Sequence, residues 1–407
     1  MRKRVLFVDD DTMVLDGLRR SLHGMRREWE MEFVSSAASA LEALQHQLYD
    51  AVISDMRMPL MDGADLLDQV KARYPDVVRM ILSGQSSREA VYRSIAPAHQ
   101  FLSKPCDPQE LVERLRQAFS TRDLLSSQAL KTVISRLPSI PSLPKLYDEL
   151  TAELRSENPS LNQIAKIISK DVGMAAKILQ LANSAFVGTS GRVSSLVQAL
   201  SLIGTETVRT LVLSVHVLSQ FDGDPRVAVS LPSLWNHSVA VSALSQRIAA
   251  TEGSSKAMIE ESFTAGLLHD MGKVVVLAEM PDEYRKIFQQ GIGSSEKLER
   301  ERLGCTHAEI GAYLMSIWGI PLPLVNAVAY HQHPSDSADT QFSSLTAVHV
   351  ADSIVSGSDP EPVNRDVELD LLYLERLQLR HREPAWRELY VGSTLQSAAA
   401  AAHPSTL

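Results

Sequence analysis

Cysteine is nearly missing from this chain: Cys106 and Cys305 are its only two in 407 residues. Two unpatterned thiols exclude a disulfide framework, and the expected compartment is a reducing cytoplasm. Long apolar runs are missing as well. The opening Met1-Arg2-Lys3-Arg4 meets Asp9, Asp10 and Asp11 within a few residues, so neither a signal peptide nor a membrane span is expected there. Nor is there an excess of positive charge. Lys and Arg number 40 against 49 Asp and Glu, a net charge of -9, which argues against a protein held on nucleic acid by a basic surface. We expect neither DNA nor a membrane among its partners. What remains is a 44% hydrophobic composition, ordinary for a soluble globular protein and ample for more than one core.

Three short apolar runs end in polar groups that belong together. Val5-Leu6-Phe7-Val8 delivers Asp9 and Asp10, Ala51-Val52-Ile53-Ser54 delivers Asp55, and Gln100-Phe101-Leu102-Ser103 delivers Lys104. Strand-like runs near 4–8, 30–35, 51–55, 78–83 and 100–103 alternate with helical patterns. This predicts an α/β doubly wound, five-stranded parallel sheet. The carboxyl edge of such a sheet gathers its functional side chains, so three acids and a lysine should meet in one cleft. Crowded carboxylates are costly without a cation, and oxygen-rich open sites suit Mg2+. With the metal there, one carboxylate can take up a phosphoryl group. Lys104 and the hydroxyl of Ser83, which ends Met80-Ile81-Leu82, would balance the remaining phosphoryl oxygens.

Beyond the sheet, Pro108 can open a last helix, and Leu111, Leu115, Ala118, Leu125 and Ala129 recur at helical steps. Pro138, Pro141 and Pro144 then interrupt the chain. The expected domains are 1–120 (sheet domain), 121–144 (helical linker and Pro-rich junction), 145–357 (all-α domain) and 358–407 (a C-terminal extension with a disordered tail). In the third, the period is 3.6, with start signals at Ser160, Asp171, Thr205 and Pro281. Polar stretches at 220–232 and 334–342 read as loops between about ten helices. The apolar stripes from 161 to 218 read as core.

The helical region carries His237, the pair His269-Asp270, His307, His331, His333 and Asp352. Imidazoles and carboxylates on different helices of a bundle can converge on one or two divalent metal ions and activate a bound water for attack on a phosphate ester. Lys273, one turn past His269, could face the same phosphate. A structural reading stands beside this one. His237 next to Trp235 can be a core histidine bonded to a carbonyl, and His269-Asp270 can be a pair capping a helix end. Asp352 lies three residues past His349, and either could point into a cleft.

Residues 1–120 resemble the receiver domain of two-component response regulators. The resemblance rests on Val8-Asp9-Asp10, Ser54-Asp55-Met56-Arg57-Met58-Pro59 with Asp62-Gly63, Leu82-Ser83-Gly84 and Phe101-Leu102-Ser103-Lys104-Pro105. It implies that Asp55 is the phosphoacceptor, with Asp9, Asp10, Asp55 and the backbone carbonyl of Arg57 around Mg2+. Ser83 and Phe101 would form a switch pair, and Lys104 would hold the phosphoryl. It further implies a sensor histidine kinase or phosphotransfer protein as donor, and a changed surface on the fourth helix, fifth strand and fifth helix after phosphorylation.

From about 135 to 335 the chain resembles the HDOD family, a branch of the HD metal-dependent phosphohydrolases. The elements are Asp171-Val172-Gly173 to Leu181-Ala182-Asn183-Ser184-Ala185-Phe186, Ala199 to Gly204, Leu234-Trp235-Asn236-His237-Ser238, and His307-Ala308-Glu309-Ile310-Gly311-Ala312 to Trp318-Gly319-Ile320-Pro321. Members commonly lack a complete catalytic set and act as signalling or interaction modules. His331-Gln332-His333-Pro334 is not followed by the Gly-Tyr-Pro of relatives that hydrolyse cyclic di-GMP. The expectation is therefore a response regulator that acts on a downstream protein, with a homodimer through the linker helices. The rival is a phosphorylation-gated phosphodiesterase for a nucleotide or cyclic dinucleotide, and a third reading is a module that binds a nucleotide second messenger.

Overall fold

A computed structural model describes residues 2–83, 98–124, 144–156, 158–183, 193–204, 208, 225–289, 295–358 and 367–390. The N-terminal part is a five-stranded parallel sheet. Its strands are β1 (Lys3–Val8), β2 (Trp29–Val34), β3 (Ala51–Asp55), β4 (Val78–Ser83) and β5 (Gln100–Ser103), in the order β2-β1-β3-β4-β5. Parallel strands covered on both faces need continuous apolar runs. Val5, Leu6, Phe7, Ala51, Val52 and Ile53 are accordingly buried, and Phe7 stacks on Phe33 at 4.9 Å. The helices are α1 (Thr12–Ser21), α2 (Ala37–His46), α3 (Gly63–Arg73) and α4 (Pro108–Leu124). The fourth helix expected before β5 falls in 84–97, outside the described residues.

Leu111, Leu115 and Ala118 of α4 are fully buried within this chain, and Phe119 meets Trp29 edge-on at 6.0 Å. Inside the described residues, this apolar repeat therefore packs the chain's own core instead of forming a free stripe for pairing two linkers. Leu125, Ala129 and the Pro-rich junction up to 143 lie outside the described residues.

The second part is helical, beginning with α5 (Pro144–Arg155), α6 (Leu161–Ile168), α7 (Val172–Ala182), α8 (Leu196–Ile203), α9 (Pro225–Thr251), α10 (Lys256–Leu268), α11 (Met271–Glu279) and α12 (Pro281–Tyr284). It continues with α13 (Ser295–Leu303), α14 (His307–Ile317), α15 (Leu322–Tyr330) and α16 (Ser344–Ser358). Ser160 caps α6 by accepting the Gln163 N–H, and Asp171 caps α7 through the Met174 N–H at 2.8 Å. Thr205, the third expected start, is outside the described residues.

The expected loop at 220–232 is corrected: α9 begins at Pro225 and runs through Pro232. An internal proline costs a helix about 3 kcal/mol. Burial of Leu231, Leu234 and Trp235 offsets it as α9 packs on α10 and α16. After α16 the extension is ordered over 367–390, where α17 (Leu371–Arg376) and the helical turns after it bury Tyr373, Leu374 and Trp386. Among the described residues no helix is long and apolar enough to cross a membrane.

Candidate functional site

The sheet order reverses between β1 and β3, which is where a doubly wound sheet opens a crevice at its carboxyl edge. Asp9 follows β1 and Asp55 ends β3, so the two carboxylates flank that crevice. Asp9 Oδ1 accepts the Asp11 N–H at 3.1 Å, and Asp11 in turn caps α1 through the Met13 N–H. This leaves Asp9 Oδ2 for the Lys104 ammonium, at 2.5 Å. The same ammonium pairs with Asp55 Oδ1, while Asp55 Oδ2 accepts the Arg57 N–H at 2.6 Å. Lys104 precedes a cis peptide bond to Pro105.

Burial raises the pKa of Asp9, and the Lys104 and Asp11 hydrogen bonds offset only part of that shift. Burial alone would lower the Lys104 ammonium, but the hydrogen bonds and charges of Asp55 and Asp9 outweigh it and raise its pKa. One lysine shared by two carboxylates leaves negative charge over, and Asp10 beside them is exposed. An all-oxygen donor set of Asp9, Asp10, Asp55 and the Arg57 carbonyl fits a hard divalent cation. Ser83 ends β4 in register with Ser103. The side chains of Ser83 and Phe101 fall outside the described residues.

A second site lies inside the helical part. His237 (α9), His269 and Asp270 (between α10 and α11), Lys273 (α11), Glu299 (α13), His307 (α14), His331 (after α15) and Asp352 (α16) are all buried. Gly272 allows this convergence, because a Cβ there would sit 1.9 Å from the His307 carbonyl oxygen. Thr306 and Glu309 form a capping box that fixes the start of α14, and with it the position of His307.

Asp270 sits at the middle. Its Oδ2 takes the Lys273 ammonium at 2.8 Å and lies 3.5 Å from His269 Nε2, while its Oδ1 is 3.2 Å from His307 Nε2 and 3.7 Å from His331 Nε2. His237 Nε2 meets Asp352 Oδ1 at 3.1 Å. His269 and His331 each direct Nδ1 to a backbone carbonyl, of Gly266 at 2.7 Å and Val328 at 2.8 Å. Those bonds put the proton on Nδ1 and leave Nε2 with its lone pair aimed at the centre. His269 Nε2 has no hydrogen-bond partner although it is fully buried.

Burial lowers the His269 pKa, and burial together with the neighbouring His269 and His307 pushes His331 down to about 3. For His307, burial alone would act downward, but the charge of Glu299, 2.7 Å from its Nδ1, with Asp270 on the other side, raises it to about 9. Burial alone would raise Asp270 and Asp352, yet both end lowered, Asp270 by Lys273 and His269 and Asp352 by His269 and His237.

A neutral imidazole whose lone pair faces two carboxylates is a site short of a cation. His237, His269 and Asp352 form one set whose ligand atoms lie within 4.8 Å of one another, and His269, Asp270 and His331 form a second. Mixed nitrogen and oxygen donors of this kind suit a transition metal or zinc. Of the expected histidines, His333 is not brought into this centre. It is exposed and bonds Glu296 at 2.7 Å, because residues 331 and 333 leave the end of α15 in different directions. Lys273 faces Asp270 instead of an open cleft. Glu299 was not singled out in the sequence, where it is one charge among many in α13.

Residues 5–116 match the family described as response regulator receiver domain, and residues 140–334 match the HDOD domain family. An uncharacterized protein of Treponema pallidum (strain Nichols) is 23% identical over 83% of this chain and 68% of its own length. The hydrogenase transcriptional regulatory protein HoxA of Cupriavidus necator is 35% identical, and the match spans 30% of this chain but only 25% of that relative. Among solved structures, the signal receiver domain of an HD domain-containing protein from Pseudomonas fluorescens Pf-5 is 32% identical over 30% of this chain and 98% of its own, with a TM-score of 0.29. The MmoQ response regulator from Methylococcus capsulatus str. Bath is 25% identical over 60% of this chain and 93% of its own, with a TM-score of 0.46.

Proposed function

We propose, for a chain that belongs to the response regulators built from an N-terminal receiver domain and a C-terminal HDOD domain, that Asp55 accepts a phosphoryl group from a histidine kinase or phosphotransfer protein. The observation that carries this reading is the single Lys104 ammonium shared between Asp9 and Asp55 at the crevice. Mg2+ held by Asp9, Asp10, Asp55 and the Arg57 carbonyl would supply charge neutralisation as the phosphoryl arrives. Lys104 and the Ser83 hydroxyl take the phosphoryl oxygens, and Phe101 follows Ser83 as the second half of the switch.

The HDOD domain then acts as a signalling module that contacts a downstream protein. Burial of the whole His/Asp cluster supports this over hydrolysis, since a phosphate ester must reach the metal to be cleaved. A divalent ion there would be held by His237, His269, Asp270 and Asp352, with His307 and His331 beside Asp270. When bound it supplies Lewis acidity to a coordinated water. In the present arrangement the protein's own residues hold charge instead, with Lys273 and His307 against Asp270 and Glu299.

The test is intact-protein mass spectrometry after incubation with acetyl phosphate and Mg2+. The wild type gains one phosphoryl mass and Asp55→Asn gains none. Uptake by the Asn variant sinks the assignment.

A further inference from the structure

The receiver is docked on the HDOD domain with α4 packed on α14, and Gln100 of β5 and Gln117 of α4 bond at the C-terminal end of that helix. Gln100 Nε2 donates to the Ser316 carbonyl at 2.9 Å and Gln117 Nε2 to the Ile320 carbonyl at 2.8 Å. The Ser316 carbonyl also accepts the Gly319 N–H at 3.1 Å, so Gln100 adds a second donor at a helix end that carries negative partial charge, while Ile320 follows the helix. Arg114 passes beside the same turn and donates to the Asn183 carbonyl at 3.4 Å. Its Nη1 would lie 2.8 Å from a Cβ on Gly319, whose φ of +71 favours glycine at this turn. Alongside, Gln180 of α7 reaches the His99 carbonyl at 3.4 Å.

The junction is imperfectly satisfied. Gln100 Oε1 and Ser316 Oγ are buried there without hydrogen-bond partners. Water would satisfy both if the domains parted, so undocking recovers part of the free energy it loses. The other end of α14 carries His307, fixed by Glu299 and facing Asp270 and His331. An 11-residue helix is a rod of about 16 Å, stiff enough that its two ends move together.

We infer that the receiver is a clamp: by holding the C-terminal end of α14 through Gln100 and Gln117, it keeps the buried His/Asp cluster closed, and its release opens the cluster. The clamp rests on the proposed phosphorylation of Asp55 only for its trigger.

The test is histidine labelling of the full-length chain with diethyl pyrocarbonate, read peptide by peptide, with the exposed His333 as internal standard. In Gln100→Ala/Gln117→Ala, with an unchanged urea midpoint, labelling at His307 and His331 rises about tenfold relative to His333. Arg116→Ala, on the face of α4 that pairs with Glu28, leaves it unchanged. Should the double variant lower the urea midpoint, Gln117→Ala alone serves in its place. Wild-type labelling rates at His307 and His331 in the released variant overturn the clamp. Beryllofluoride on the wild-type protein reads the trigger separately. A rise in the variant with none under beryllofluoride keeps the clamp and rejects phosphorylation as its release, whereas the clamp falls if the variant does nothing, whatever beryllofluoride does.

Discussion

His349 donates its Nδ1–H to the carbonyl of His331 at 2.7 Å, and its Nε2 accepts the backbone N–H of Asp370 at 2.8 Å. One fully buried imidazole thus ties the loop that carries a cluster histidine to the extension that follows α16. The HDOD family match ends at 334, yet Asp352 in the cluster and Asp370 in this tie both come later in the chain. The extension is bound further through Tyr373 to Thr346 at 2.7 Å and through Trp386 Nε1 to Glu252 at 2.9 Å.

Replacing His349 with Ala leaves the buried His331 carbonyl and the half-buried Asp370 N–H without this partner and opens a void. The expected loss is about 3 kcal/mol of stability, read by urea denaturation. Leu372→Ala, at a side chain left mostly exposed on α17, should change stability by less than about 0.5 kcal/mol. Equal effects of the two substitutions would show that the tie contributes nothing specific.

The pH dependence has two limbs of opposite origin. His307 is raised from 6.5 to about 9 in the fold, so its contribution is complete below pH 6.5 and is lost as pH rises through 9. His331 is lowered to about 3, so the unfolded chain takes up a proton below 6.5 that the fold refuses, and stability falls toward acid. The lowered pKa values of Asp270 and Asp352 act in the same acidic direction. Unfolding free energy should therefore peak near neutral pH and decline between 6.5 and 9, with a limiting slope of about 1.4 kcal/mol per pH unit for one proton. Glu299→Gln removes the main charge that raises His307, and should flatten the alkaline limb while leaving the acidic one. A wild-type curve that stays level up to pH 9 would contradict the proposed charge state of His307.

The crevice of Asp9, Asp55 and Lys104 was legible in the sequence because a parallel sheet obeys strong rules. Apolar runs with acids at their ends fix which residues meet at the carboxyl edge, and Asp9, Asp55 and Lys104 meet there. The helical centre was only half legible. His237, His269, Asp270, His307 and His331 stood out by residue type, but which way each side chain turns depends on packing between helices. That is why residue type alone groups His333 with them although it faces solvent, and does not single out Glu299 although its carboxylate favours the charged form of His307. The loop expected up to Pro232 failed for a related reason. Proline signals a break locally, and burial of Leu231 and Trp235 overrides it only in the folded bundle.

Lys104 offers the sharpest test of the crevice as a cation site. In the wild type its ammonium already neutralises part of the charge on Asp9 and Asp55, so an added divalent ion competes with a resident cation. Lys104→Met keeps the length of the side chain and removes the charge, which leaves two carboxylates facing each other with Asp9 already raised by burial. The variant should be less stable than wild type without Mg2+ and should regain most of that loss when Mg2+ is added, because an ion that binds only the folded state stabilises it in proportion to the logarithm of its concentration. Thermal melts across a Mg2+ titration read this directly, with a steeper rise of Tm in Lys104→Met than in wild type. Asp9→Asn/Lys104→Met provides the control, since removing one carboxylate relieves the repulsion and should abolish the extra Mg2+ dependence. If the single variant melts independently of Mg2+, the carboxylates do not form a divalent site and the phosphoryl chemistry assigned to Asp55 loses its electrostatic basis.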